Sequence, residues 1–291
     1  MIGRASVIRE EEPGDGYCEV WSLLPESATS LVRNHAIRYL DVHGFRTGLT
    51  VPEYSACAAA LASSTCLSRL SIDGYNEGFG DAGLAALGAS SSLTTLHAPA
   101  NLISCAGVLE MLRRGAPPLI HLALPFNYIG DAGASRLCAL RRLTQLNLRC
   151  NCVSDATAPA LAALPCLTSL DVSSNRLSPH GATLLLPHSA SLTHLDFQLR
   201  TQDYADASPG DVDNPAMHAA LRLNFTLHTF VLAWHTHNYV RRCVGTPHEL
   251  LRGRALALAG RATTRHMATR LPLWALQRVF VAVSPPLQCA C

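Results

Sequence analysis

A leucine pattern that recurs along residues 119–197 constrains the fold of this chain more than any other feature. Its copies begin at Leu119, Leu143, Leu167 and Leu192, so they are 24, 24 and 25 residues apart. Each copy has leucine at its first and fourth positions and an apolar residue at its sixth. Copies this short cannot bury their apolar side chains alone, so they stack on one another into a solenoid.

Within one copy, the spacing predicts a strand, a turn and a helix. Leu122 and Leu124 are two residues apart, so both lie on the same side of a strand. In the helix that follows, Asp131 is predicted to be the N-cap residue and Leu137 to face the core. An asparagine ends the strand region, and its buried amide can pair with the backbone of the turn. The asparagines at this place predict an internal ladder of Asn101, Asn127, Asn151 and Asn175.

Extended to the whole chain, the same pattern predicts about eight repeats between residues 37 and 235. Their first apolar residues are Ile37, Leu67, Leu93, Leu119, Leu143, Leu167, Leu192 and Leu227. Residues 1–36 are predicted to be an N-terminal cap or lead-in, in which Trp21, Leu23 and Leu24 cover the open edge of the first repeat. Residues 236–291 are predicted to form a basic helical C-terminal cap.

Composition narrows the class of protein. The formal net charge is +2, which is too small to indicate a partner, and a specific nucleic-acid partner is not expected. A bilayer-spanning helix needs about 20 consecutive apolar residues, and neither such a run nor a secretory signal is expected here. The eleven cysteines lack paired zinc-site spacing, so we expect no metal, no cofactor and a reducing, cytoplasmic compartment. Cys66, Cys138 and Cys166 are predicted to be small buried thiols.

All 23 basic residues are arginine, and lysine does not occur. A codon bias toward arginine explains this, and so does selection against ubiquitin attachment, which uses a lysine amine. The sequence leaves both explanations open.

The repeats resemble a known family. Residues 37–235 resemble the ribonuclease-inhibitor-like class of leucine-rich repeats, and the GDAG stretches at 80–83 and 130–133 are similar to GALA-type repeats of bacterial type III effectors. The resemblance implies an α/β solenoid, curved like a horseshoe, with parallel strands on its concave face and helices on its convex face. GALA-type effectors carry an F-box that recruits a Skp1-like adaptor of a ubiquitin ligase. The resemblance to bacterial effectors also implies delivery of the protein into a host cell.

A segment near the C-terminus is similar to the opening of an F-box. The stretch LPLWALQRVF at 271–280 has apolar residues in register with that motif, although Trp274 replaces its usual acidic residue. A capping helix that covers the last repeat explains the same leucines. The adaptor-binding interpretation depends on Leu271, Pro272, Leu276, Val279 and Phe280.

If the strands line an exposed concave face, their outward side chains form the candidate binding site. A mixed surface of histidine, arginine and aromatic residues is typical of protein recognition. His97 and His121 are on neighbouring strands and are expected to come near each other. The predicted partner-binding residues are Tyr39, Arg69, His97, His121, Asn147, Arg149, Asp171, His194, Asp196 and Trp234.

Three functions follow from these patterns. The first is a non-enzymatic scaffold that binds a partner protein through the concave face, because no catalytic motif accompanies the repeats. The second is a substrate receptor for a ubiquitin ligase that uses residues 271–280. The third is a GTPase-activating protein, an activity known from a related repeat family whose members end in an acidic tail. This chain ends basic, which favours the first two.

Overall fold

A computed structural model describes most of the chain up to residue 231, in two compact units, residues 1–152 and 153–291. The predicted residue Trp234 and the segment 236–291 lie outside the described residues. The described ranges are 8–9, 16–21, 23–44, 49–74, 79–197, 216, 219–220, 224, 226–227 and 229–231.

The first unit alternates strands with helices, as the leucine pattern predicts. Its strands are β1 Ile8–Arg9, β2 Tyr17–Val20, β3 Tyr39–Val42, β4 Arg69–Ile72, β5 Thr95–His97, β6 His121–Ala123 and β7 Gln145–Asn147. Its helices are α1 Pro25–Arg33, α2 Val51–Ala62, α3 Gly80–Leu87, α4 Cys105–Arg113 and α5 Gly130–Leu137. Residues 17–33 therefore already form a strand and a helix ahead of the first predicted repeat.

Strands β2 to β7 pair in sequence order, each parallel to the next, and β1 pairs antiparallel with β2. Equivalent residues of successive repeats are direct neighbours, as the pairing of Leu96 with Leu122 and of Leu122 with Leu146 shows. Consecutive helices from α1 to α5 pack against one another. The unit is thus a parallel α/β solenoid, with its sheet on one side and its helices on the other.

The second unit repeats the same arrangement. It contains a 3₁₀ turn at Asp155–Thr157, α6 Ala158–Ala162, β8 Ser169–Asp171, α7 Pro179–Leu185, a second 3₁₀ turn at Leu186–His188, β9 His194–Asp196 and β10 Thr229–Val231. Strands β8, β9 and β10 are parallel neighbours, and α6 packs against α7. Among the helices described in both units, none has the length and apolarity that a bilayer span requires.

The predicted core is confirmed. All eight residues that begin a repeat are buried, and so are the helix residues that precede them, from Leu61 to Leu185. Along each strand from β2 to β9, buried and outward residues alternate, so that Leu122 is buried between His121 and Ala123. This alternation separates a core side of the sheet from an outward side, which we call the strand face.

The predicted asparagine ladder is also confirmed, because the side chains of all four asparagines are buried. The Asn127 side-chain oxygen accepts hydrogen bonds from the backbone N–H groups of Asn101 and Ile103, at 3.0 and 2.9 Å. Its amide nitrogen donates to the carbonyl oxygens of Ala98 and Leu124, both at 3.0 Å. One buried side chain therefore serves the backbone of two consecutive repeats.

The turn that carries each asparagine inward needs an unusual backbone. The residue before the asparagine has a positive φ in each case, 53° at Ala100, 59° at Phe126, 53° at Cys150 and 55° at Ser174. A positive φ is uncommon for residues other than glycine and disfavours bulky side chains. The hydrogen bonds of the buried asparagine hold this conformation in place.

The helix caps correct one prediction. Asp131 is not an N-cap; Ile129 holds that place, and Asp131 is the second residue of α5. Serines cap two other helices. Ser104 is the N-cap of α4 and Ser178 is the N-cap of α7, and each side-chain oxygen accepts a hydrogen bond from the backbone N–H two residues onward. Aspartates hold these serines from the preceding repeat: Asp81 accepts from the backbone N–H and hydroxyl of Ser104, and Asp155 does the same for Ser178. The carboxylate thus joins neighbouring repeats rather than capping its own helix.

The thiols follow the prediction only in part. Burial raises the pKa of the Cys138 thiol to about 11, and burial with the nearby Glu53 carboxylate raises that of Cys57 to about 11. The prediction for Cys166 is wrong because its side chain is exposed, and Cys66 and Cys138 are only partly buried. Cys66 and Cys166 lie in the loop before a strand, outside the layer that the leucines fill.

The ladder predicts a specific loss of stability. Replacing Asn127 by alanine leaves two buried N–H groups and several carbonyls without their partner, which costs about 3 kcal/mol in the free energy of unfolding. The control is Asn34→Ala, where an exposed asparagine accepts one hydrogen bond from Ala36; we expect less than about 1 kcal/mol there. Urea denaturation followed by far-UV circular dichroism measures both, and equal losses would contradict the role of the ladder.

Candidate protein-interaction surface

The structure places the predicted residues of the first unit on its strand face. Tyr39, Arg69 and His121 are the first residues of β3, β4 and β6, and their side chains point away from the core leucines. His97 and Asn147 are the last residues of β5 and β7, with the same orientation. Arg149 follows β7 by two residues and continues this side of the sheet.

In the second unit, Asp171 and His194 are also on the outward side of their strands, and Asp171 pairs in register with Asp196. Trp234 and the five residues of the 271–280 segment lie outside the described residues. That these side chains bind a partner stays a prediction.

The two histidines on neighbouring strands are not direct neighbours. The register sets His121 beside Thr95 and His97 beside Ala123. His97 Nδ1 instead lies 3.4 Å from the hydroxyl of Ser71, on the preceding strand. Across the described parts of both units, no three His, Cys, Asp or Glu side chains are grouped so that they could hold a metal ion.

The strand face also holds a residue that sequence reasoning placed elsewhere. Trp21 was predicted, together with Leu23 and Leu24, to cover the open edge of the first repeat. Because 58% of its surface is exposed, the prediction is wrong for Trp21, whereas Leu23 is buried. Its ring stacks on the His43 ring with centroids 4.6 Å apart and planes 26° apart. Trp21 follows β2 and His43 follows β3, so the backbone bond from His43 N–H to the Val20 carbonyl brings the two rings together.

Carboxylates surround the stacked pair. His43 Nε2 lies 2.6 Å from Glu19 of β2, and His43 Nδ1 lies 3.7 Å from Asp73, which follows β4. On β3, the Asp41 carboxylate accepts a 2.8 Å hydrogen bond from the Tyr17 hydroxyl. Acidic and aromatic side chains from three neighbouring strands therefore meet on one side of the sheet. We call this the acidic–aromatic cluster: Tyr17, Glu19, Trp21, Asp41, His43 and Asp73.

Two arginines on the same face lie over aromatic rings. The Arg69 guanidinium is 5.2 Å from the centroid of the Tyr39 ring, and that of Arg149 is 5.8 Å from the centroid of Phe126. Both distances are within the range of cation–π attraction, which is worth about 0.5–1 kcal/mol at exposed sites. These contacts order two long side chains and so lower the entropy that each loses on binding.

A short row of exposed apolar residues lies in the turns beside the strand face. Phe126 and Tyr128 flank the buried Asn127 and are 44% and 62% exposed, and Leu102 is the equivalent of Tyr128 in the preceding repeat. Because Asn127 points inward, the residues on either side of it point outward. This row was not predicted, although its position next to the ladder could have indicated it.

On the helix side, two arginines share one carboxylate. Glu110 of α4 receives hydrogen bonds from Arg113 and Arg114 at 2.9 and 3.1 Å. These bonds lower the pKa of the Glu110 carboxyl to about 2. The arginines are therefore already paired with an anion, which makes this helix a weaker candidate for recognition than the strand face.

Comparisons with known proteins agree with this architecture. A family model described as a leucine-rich repeat matches residues 140–162 and 163–186, two adjacent copies of the pattern. The chain is a leucine-rich repeat protein. Proteins of this class generally serve as protein-binding scaffolds. The matched model represents the repeat class as a whole, so the GALA-type subgroup stays a prediction.

Among solved structures, a chain from the crystal structure of the yeast Rad7–Elc1 complex aligns with this leucine-rich repeat protein. The alignment covers 72% of this chain and 66% of that chain, with 12% sequence identity and a TM-score of 0.44. No curated protein matches the sequence.

Proposed function

We propose that this leucine-rich repeat protein is a non-enzymatic recognition scaffold that binds a partner protein through its strand face. The observation that carries the proposal is the in-register row of outward side chains on parallel strands. Each neighbouring repeat adds one or two of them, so that Tyr39, Arg69, Thr95 and His121 form one continuous row.

The composition of this face supports the proposal. Tyr, Trp and Arg supply most of the binding energy in protein interfaces. The strand face has all three types, and each is held by a neighbour: Trp21 by His43, Tyr39 by Arg69, and Arg149 by Phe126. Side chains that are already ordered lose less conformational entropy when a partner binds.

Replacing Arg149 tests directly whether the strand face binds the partner. After the partner has been identified by photo-crosslinking from position 121, we expect Arg149→Ala to weaken its affinity by about fivefold or more, the effect of losing about 1 kcal/mol. The matched control is Arg136→Ala on α5, an exposed arginine on the helix side, which should leave the affinity within about twofold. Isothermal titration calorimetry measures both. Crosslinks that form equally from position 136, or equal affinities of the two variants, would contradict the proposal.

The second candidate is a substrate receptor of a ubiquitin ligase that recruits a Skp1-like adaptor. It is supported by the apolar residues at 271–280 that match an F-box opening, and by the absence of lysine in a chain of 291 residues. A receptor without lysine offers no side-chain amine for ubiquitin and so avoids its own modification.

This candidate predicts that a Skp1-like adaptor co-purifies with the full chain and is lost on Leu276→Asp. A charge in an apolar helix-in-groove contact is left without a partner and costs several kcal/mol. The variant Leu276→Met, which keeps an apolar side chain of similar volume, should retain the adaptor. If no adaptor binds the unmodified chain at micromolar concentration, the receptor function is wrong.

A further inference from the structure

The acidic–aromatic cluster has a charge that the structure only partly balances. Glu19, Asp41 and Asp73 bring three carboxylates to one side of the sheet, on or directly after β2, β3 and β4. His43 contacts two of these carboxylates, and the nearest guanidinium on these strands is that of Arg69, which lies over Tyr39. Among the described side chains on and directly after these strands, three carboxylates outnumber one guanidinium and one imidazole. This part of the strand face is therefore negative and attracts a cation.

The exposed tryptophan adds a second feature. One face of the Trp21 ring lies against His43, so its 58% exposure belongs to the opposite face and the edges. An indole face is the best cation–π acceptor among the aromatic side chains, and carboxylates beside it add to the attraction. Glu19 and Asp73 lie beside the two ring nitrogens of His43, and the His43 ring lies against Trp21.

The protein already contains one contact of this kind. Arg69 of β4 places its guanidinium over Tyr39, the first residue of β3, and His43 of the stacked pair directly follows β3. A planar guanidinium stacks on an aromatic ring and donates to carboxylates in its own plane at the same time, which an ammonium cannot do. The geometry at Tyr39 therefore indicates which cation suits Trp21.

We propose that the acidic–aromatic cluster binds an arginine side chain in an extended segment of the partner protein. The guanidinium lies on the exposed face of Trp21, and its N–H groups donate to carboxylates of the cluster. The inference rests on the proposed function, because the cluster is one end of the strand face of the first unit. It adds the chemistry of the ligand, which that function leaves unspecified.

The test uses the full chain and a fluorescein-labelled peptide of alternating glycine and arginine, with fluorescence anisotropy as the measurement. We expect saturable binding that weakens as salt rises, since ionic attraction is screened beyond about 10 Å at 0.1 M. A matched lysine peptide should bind less tightly, and a matched glutamate peptide should not bind.

Variants locate the site. Trp21→Ala should weaken arginine-peptide binding by about fivefold or more, whereas Trp21→Phe, which keeps an aromatic face, should lose less. Glu19→Gln with Asp73→Asn should weaken binding and reduce its salt dependence. The control pair is Glu26→Gln with Asp131→Asn, two carboxylates in the first turns of α1 and α5 on the helix side, which should leave the affinity within about twofold. Far-UV circular dichroism checks that each variant is folded.

Equal affinity of the Trp21→Ala variant, or equal binding of the glutamate peptide, would overturn the inference. That failure is distinguishable from failure of the scaffold function. If Arg149→Ala still weakens binding of the crosslinked partner while the arginine peptide does not bind, recognition by the strand face stands and the cluster is not its arginine site.

Discussion

The structure depends on a small number of buried amide side chains. In each solenoid turn the backbone leaves the sheet, enters the core and restarts as a helix, so its N–H and C=O groups lose contact with water. An unpaired backbone group there costs about 1–3 kcal/mol. Asn127 supplies both a donor and an acceptor to this segment, and so do Asn151 and Asn175. Asn101 donates to the carbonyl oxygens of Ile72 and Pro99, while its side-chain oxygen accepts from none of the described residues. A leucine at this position would fill the space but would leave the backbone unpaired.

This requirement also decides what reaches the surface. Because the asparagine must point inward, its neighbours point outward, and Phe126 accepts a positive φ that is unfavourable for a bulky residue. Because equivalent residues pair in register, the outward residues of successive strands form rows. A row can change from aromatic to charged to polar without disturbing the core, since the buried leucines lie on the other side of the sheet. The fold thus presents a variable outward surface on a constant interior.

The interior could be predicted from the sequence because it obeys a period. Leucines at fixed spacing identify the strands, and the asparagines identify the turns. The strand at 17–20 lacks the double leucine, which is why Trp21 was expected to cover the core. Its exposed side chain stacks on His43, which follows the next strand and lies beside Glu19 of β2 and Asp73 after β4. None of these three residues belongs to the leucine and asparagine pattern. Likewise, aspartate is a common N-cap residue, which is why Asp131 was expected to cap its own helix. At the equivalent place in an earlier repeat, Asp81 instead binds the capping serine of the following repeat, Ser104. Contacts between repeats determine where such side chains lie, and the sequence pattern within one repeat carries no information about those contacts.

The most direct test of this account is amide hydrogen exchange, residue by residue, followed by NMR. The backbone N–H groups of Ile103, Ile129 and Val153 donate to the side-chain oxygens of Asn127, Asn151 and Asn175, and to no strand. The account predicts that they exchange as slowly as the N–H of His121, which is bonded to the Thr94 carbonyl in the sheet. Exchange at the rate of an exposed loop would show that the asparagines do not hold the turns, and would contradict the account at its centre.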